Sequence, residues 1–211
     1  MSKIKCFIFL AVIGLAGCSE KDPNPDQSVF RINLHAGFTS MDPAFARNQA
    51  NIWVTNQLFN GLVQLNDDLK PVPCIAKSWE IDSTATIYTF HLRNDVYFHK
   101  DSLFPNKEAR QVDAQDFVYS FNRIINPETT SPGAWIFNDK VYVNKENGTP
   151  RGSFDALNDS TLQIKLKQPF PPLLGLLSMQ YCSVVPREIV KHYGKDFRLH
   201  PIGTGPFKLK L

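Results

Sequence analysis

The sequence predicts a mixed α/β fold, and three observations predict it. Apolar and polar residues alternate with a period of two in several short runs, between Leu62 and His99 and again between Ser153 and Lys167, as half-buried strands do. From Asp113 onward Phe117, Phe121, Ile124 and Ile125 recur at helical spacing. Further short helical patterns, at 49–59, within "PPLLGLLS" and within "REIVKHY", are interleaved with the strand patterns instead of being segregated from them.

In chain order, the first feature is a leader. Lys3 and Lys5 precede a mostly apolar stretch of about 12 residues, Cys6 to Gly17, the size of a signal-peptide core and short of the ~20 needed to cross a bilayer. It ends in Leu15-Ala16-Gly17-Cys18, which is similar to a bacterial lipobox, and charged residues follow at once. An ordinary signal peptide with an incidental cysteine and a buried apolar helix are the competing readings. The small-small-Cys order favours lipidation of Cys18, with residues 1–17 removed and 18–28 a flexible tether. More than one acyl chain is needed for durable anchoring, since each buried CH₂ contributes only about 0.8 kcal/mol.

The folded part is expected from Val29. "VFRINL" (29–34) alternates as a strand, and a loop runs through Gly37 and Met41-Asp42-Pro43. In the helix expected at 49–59, Ala50, Val54 and Leu58 form an inward stripe with Trp53 beside it. Then "LVQL", a Pro71/Pro73 interruption, "SWEID" and "TIYTFHLR" paired about Ser83-Thr84, and "VYFH" read as a β-rich run. Asp113 caps the next helix, Asp116 sits in its first turn, and Asn126-Pro127 stops it. Residues 127–152 read as irregular, with aromatics at Trp135 and Phe137. "SFDAL" and "TLQIKLK" follow as strands about a turn at Asn158-Asp159, then a short helix, a strand "SVVP", a helix "REIVKHY" and a last strand from Gly205. Because the sequence stops within that last pattern, it is expected to be the N-terminal portion of a longer protein.

Composition excludes several classes. A net charge of +3, with bases interspersed among acids, gives no nucleic-acid footprint. In an oxidising compartment Cys74 and Cys182 are permitted a disulfide, or they are two separate buried thiols. His91 and His99 lack a third ligand, Asp67-Asp68 read as a solvated loop, and no nucleophile elbow, Cys-His signature or phosphate-cradling glycine loop is present. No catalytic residue, metal or cofactor is therefore expected.

Several stretches carry a family likeness: "LFNGLVQLNDDLKPVPCIAKSWEIDSTATIYTFHLRNDVYFH", "VDAQDFVYSFNRIINPETTSP", "LQIKLKQPFPPLLGLLS", "VVPREIVKHYG" and "PIGTGPFKL". In order and spacing they resemble the family 5 extracellular solute-binding proteins of ABC importers, especially peptide binders. The resemblance implies a periplasmic-binding-protein-like (class II) α/β lobe, with 29–59 and 184–211 in that first lobe, 60–183 as an inserted mixed α+β subdomain, and a second lobe outside this chain. Such proteins close two lobes about a hinge on a solute and make or break no bond. A short peptide, ABC permease subunits and a membrane held through Cys18 would be the partners of an exported monomer. The resemblance also places ligand contacts at Arg47, Asn48 and Gln49, at Gly133 and Trp135 after Ser131-Pro132, and at Gly203 and Thr204, where the glycine has tight turning as its other explanation. Oligopeptide binders often carry an acid at the first of these places and an aromatic directly after Ser-Pro. Arg47 and Gly133 depart from that pattern, so nickel chelates, opines and oligosaccharides remain alternative solutes. A lipid-anchored hydrolase and a peptide sensor are the alternatives of another class.

Overall fold

The computed structural model describes residues 33–210. Cys18 and the leader lie outside the described residues, as does all but the end of the strand expected at 29–34. The first element is a single 3-10 turn at Pro43–Phe45, and α1 (Gln49–Leu58) follows. Next come β1 (Val63–Leu65), β2 (Pro71–Pro73), β3 (Ala76–Ile81), β4 (Ile87–Leu92) and α2 (Ala114–Ile125). Then come β5 (Val143–Glu146), β6 (Thr149–Gly152), β7 (Phe154–Asn158), β8 (Thr161–Lys165), α3 (Leu173–Leu177), α4 (Arg187–Tyr193) and a 3-10 segment at Gly194–Leu199.

The organising layer is an antiparallel sheet in the order β3-β4-β8-β7. Its register puts Phe90 between Trp79 and Leu162, and Ile164 between Tyr88 and Phe154. Tyr88, Phe90, Leu92, Leu162, Ile164 and Phe154 are all buried, so the period-two pattern of β4 and β8 is met residue for residue on one face. Onto that face α2 lays Phe117, Phe121, Ile124 and Ile125. Phe121, Phe137 and Phe154 meet at the centre with ring centroids 4.9 to 5.4 Å apart in tilted and edge-on arrangements, as aromatic quadrupoles prefer.

Helix α2 begins as its sequence predicts. The Asp113 carboxylate accepts from the Asp116 backbone N–H at 2.9 Å, and the Asp116 carboxylate accepts from the Asp113 N–H at 3.1 Å, a complete capping box. The helix ends at Asn126, whose extended backbone is imposed by Pro127.

Six expectations are corrected. The buried residues of α1 are Asn51, Thr55 and Leu58, not the stripe Ala50-Val54-Leu58, and Trp53 is 46 % exposed. The polar atoms on that face have local partners, which offsets their burial. Pro71 and Pro73 do not interrupt the sheet pattern but form β2, paired only with β1, an edge position where a missing N–H costs nothing. "VYFH" shrinks to one isolated bridge between Tyr97 and Gln111. The segment 127–152 contains a hairpin, β5 with β6, turning through Asn147 and Gly148, both at positive φ. Neither "SVVP" nor 205–210 is a strand. The Val184 N–H donates to Asn60 O and the Val185 N–H to Ser120 Oγ, while the Gly205 and Phe207 N–H groups donate to Leu58 O and Gln57 O at the end of α1. Their donors are satisfied by a loop, a hydroxyl and a helix terminus, so no ladder forms.

Cys74 and Cys182 are both free thiols. Complete burial pushes the Cys182 thiol far up, which makes it an inert small hydrophobe.

Candidate functional site

The most evident concavity is a cleft of about 1160 Å³. The loop through Asp42 to Asn48, the C-terminal half of α2, residues 128–132, the Thr149-Pro150 end of the hairpin and the 190–198 segment line it.

Its floor is a buried ion pair. Asp42 accepts the Ala44 N–H at 3.0 Å and so starts the 3-10 turn, with Pro43 fixing the first turn position. The same carboxylate receives both terminal nitrogens of Arg123, Nη1 at 2.7 Å and Nη2 closer still, while its own backbone N–H donates to Ser40 Oγ. Burial works to lower the Arg123 pKa, and the Asp42 carboxylate more than reverses it, so the guanidinium is held charged. Its other face lies 5.8 Å from the Phe197 ring centroid. This pair joins the first loop to α2 and is scaffold.

Asn48 caps α1 by accepting the Asn51 N–H at 2.9 Å. Asn51 in turn accepts the Thr39 N–H at 2.9 Å and donates to Phe45 O at 3.3 Å, which fixes the loop against the helix. Arg47 is left exposed on that loop, in no ion pair among the described residues. A second loop is locked to the first: Ser131 Oγ donates to Ala44 O at 2.6 Å and accepts the Gly133 N–H at 3.1 Å.

Only some of the expected contact residues come together. Arg47 and Asn48 line the cleft; Gln49 is exposed beside them but does not line it. Gly133 is buried, and a Cβ there would stand 2.6 Å from the Tyr181 ring, so that ring occupies the space a side chain at 133 would need. Trp135 is 49 % exposed on the same loop and outside the cleft. Gly203 and Thr204 are at the other end of α1, about 15 Å away at 1.5 Å per residue. There a Cβ on Gly203 would meet Leu58 O at 1.9 Å, and Thr204 Oγ1 donates to Asn60 at 2.9 Å. The close approach requires glycine at 203 for packing. Among the described residues no group of three or more His, Cys, Asp or Glu side chains is placed to hold a metal ion.

Sequence reasoning passed over Lys191, Lys195 and Arg198, which line the cleft opposite the Asp42 loop. Their i, i+4, i+7 spacing is helical, but Gly194 at φ +54 ends α4 between Lys191 and Lys195, so α4 supplies the first and the 3-10 segment the other two. The Met41 N–H donates to Arg198 O at 3.1 Å and links the two walls.

Known proteins resemble this chain in sequence and in fold. Residues 70–211 match the family model described as "Bacterial extracellular solute-binding proteins, family 5 Middle". The periplasmic oligopeptide-binding protein OppA of Escherichia coli is 31 % identical over 165 residues, which are 75 % of this chain and 28 % of that protein. Among solved structures, the Helicobacter pylori periplasmic binding protein DppA in complex with the peptide STSA matches with a TM-score of 0.68 at 28 % identity, covering 83 % of this chain and 35 % of that one. The E. coli murein tripeptide binding protein MppA matches with a TM-score of 0.68 at 30 % identity, covering 82 % and 33 %. The chain thus spans about a third of the length of these relatives, with a fold of the periplasmic-binding-protein class II type. It belongs to the bacterial extracellular solute-binding proteins of family 5.

Proposed function

We propose that this protein is the solute receptor of an ABC-type importer, that it captures short peptides, and that it is anchored to the exterior of the cell membrane through lipid on Cys18. The observation that carries the reading is the family match over 70–211 together with a likeness of fold, over 83 % of the chain, to a protein solved with a peptide bound. Residues 29–59 and 184–211 act as part of one lobe and 60–183 as its inserted subdomain. A second lobe completes the cleft, and closure of the two about a hinge encloses the solute, in the manner of hinge-closing binding proteins. Arg47, Asn48, Gln49, Gly133, Trp135, Gly203 and Thr204 are proposed as the contacts from this lobe, and the protein binds without transforming. An extended peptide main chain pairs with backbone, and selectivity for length exceeds selectivity for sequence.

The test is calorimetry of the full-length mature protein against a mixture of short peptides, with mass spectrometry of solute that co-purifies. Binding of peptides of two to five residues is expected, with no hydrolysis products. Turnover of peptide or ester, or retention of a nickel chelate, opine or oligosaccharide in place of peptide, overturns the substrate reading. Cys18→Ala is expected to release the protein from the membrane fraction and abolish incorporation of labelled palmitate; unchanged fractionation overturns the anchor.

A further inference from the structure

The cleft is electrically one-sided. Five cationic side chains line it, Arg47, Arg123, Lys191, Lys195 and Arg198, against two carboxylates, Asp42 and Glu128. Asp42 and Arg123 neutralise one another in the floor. None of the other four cations is in an ion pair among the described residues, and Lys191 makes only a 5.8 Å approach to the Tyr119 ring. Without Lys3 and Lys5 of the leader, residues 18–211 hold 21 basic and 20 acidic residues; removing these seven leaves 16 and 18, so the cleft carries an excess of +3 against −2 for the rest. Elsewhere some cations meet carboxylates directly, as Arg93 meets Asp95, Lys100 meets Glu108 and Lys165 meets Asp155. Others, such as Lys70, Lys77 and Lys145, are exposed and in no ion pair among the described residues but do not line this cleft. Asp196, exposed between Lys195 and Arg198, does not line the cleft.

Charges of one sign in a concave site with low-dielectric walls focus their field into the opening. Asn126 also lines the cleft, with its side-chain oxygen taken by the Glu128 N–H and its amide N–H₂ able to serve an acceptor-rich guest, whereas Asn122 already donates to Val118 O at 2.9 Å. Arginine adds the planar fork that takes a carboxylate through two parallel bonds. A cationic guest would be repelled by the same groups, so discrimination comes from rejection as well as attraction.

We propose that this cleft selects anionic solutes, and that among peptides it prefers those with acidic side chains over neutral and basic ones of the same length. The proposal rests on the reading of the protein as a peptide receptor and assigns Arg47, Lys191, Lys195 and Arg198 as the specificity-determining groups.

The experiment is calorimetry of the full-length protein with three tripeptides, Ala-Glu-Ala, Ala-Gln-Ala and Ala-Lys-Ala, and with galacturonate as a non-peptide anion, at 0.15 M and 1 M NaCl. Ala-Glu-Ala is expected to bind about tenfold more tightly than its glutamine isostere, with the lysine peptide weakest. In 1 M salt, where the Debye length falls to about 3 Å, the ratio shrinks. The double variant Lys191→Gln and Lys195→Gln is expected to lose most of the preference, whereas Lys77→Gln, exposed on β3 and outside the cleft, leaves all three affinities unchanged. Equal affinities for the three peptides overturn the anion preference and leave the peptide receptor standing. So does a double variant that retains the full preference while its melting temperature falls, because the lysines are then packing groups. Binding of galacturonate, with none of the peptides bound, overturns the peptide reading and upholds the preference for anions.

Discussion

The two ends of α2 handle positive charge in opposite ways. At its N-terminus Arg110 and Arg187 are saturated with carboxylates, although the buried Arg110 Nε has no hydrogen-bond partner among the described residues. Arg110 reaches both oxygens of Asp116 at 2.7 and 2.8 Å and Glu188 at 2.9 Å, and Arg187 forks onto Asp113 at 2.7 and 2.9 Å. Phe98 and Phe104 cover Arg110 at 4.9 and 5.4 Å from its guanidinium carbon. At the C-terminus Arg123 alone is matched by a carboxylate, and the other cations of the cleft face solvent with no carboxylate partner among the described residues. The same residue types serve as mortar at one end and as bait at the other. The difference is whether carboxylates were brought to them by the fold, here the capping box and Glu188 of α4.

Breaking the saturated end should have the largest effect. Asp116→Ala leaves Arg110, whose side chain is 15 % exposed, without its fully buried partner and is expected to cost about 3–5 kcal/mol in urea unfolding of the full-length protein. A loss below about 1 kcal/mol would mean that Glu188 and Asp113 carry Arg110 by themselves.

Asp113 gives the next effect, and its sign follows from its environment. Burial pushes this carboxyl up, Arg187 more than reverses that, and the net pKa is lower than that of an ordinary aspartate. An acid whose folded pKa is depressed stabilises the fold above its unfolded value, near 3.9, and that stability is lost as pH falls through the folded value. Asp113→Asn is therefore expected to cost about 1–2 kcal/mol at pH 7 and to flatten the loss of stability below pH about 4, measured by urea midpoints across pH. An unchanged acid limb would assign the slope to other carboxylates, of which Asp82, held down to about 2 by its bonds to Thr84 and the Ile87 N–H, is the first.

The smallest effect belongs to the unpaired end. Lys195→Gln and Arg198→Gln are expected to change the unfolding midpoint by the equivalent of less than about 0.5 kcal/mol, since no contact is lost and mutual repulsion is relieved. A large destabilisation there would erase the contrast between the two ends.

Much of this contrast was legible in the sequence at one end only. The capping box, the helix spacing of Phe117 and Phe121, and the alternation of β4 and β8 are local rules, and each operates within a few residues. Arg93 is likewise a local case, forked onto Asp95 two residues away. What failed to show was non-local. The polar face of α1 is buried because Asn51 ties a loop 12 residues earlier, which no periodicity encodes. The prolines of β2 look like breakers until the strand is known to sit at an edge. Pairing of Asp42 with Arg123 spans 81 residues, and the ring standing beside Gly133 comes from Tyr181. The absence of a side chain at 133 was visible in the sequence; the residue that fills its space was not.

The approach of Gly203 and Gly205 to the end of α1 has a mechanical consequence. A Cβ at either position would overlap the carbonyl groups of Gln57 or Leu58, and the Gly205 and Phe207 amides are bonded to those same carbonyls. From the other side His99 grips the segment twice, its N–H donating to Gly203 O at 3.0 Å and its ring nitrogen 2.9 Å from Gly205 O. Residues 203–207 are therefore riveted to two neighbours, so that α1, His99 and this segment make up one braced unit, joined through Asn48 to the loop that bears Arg47.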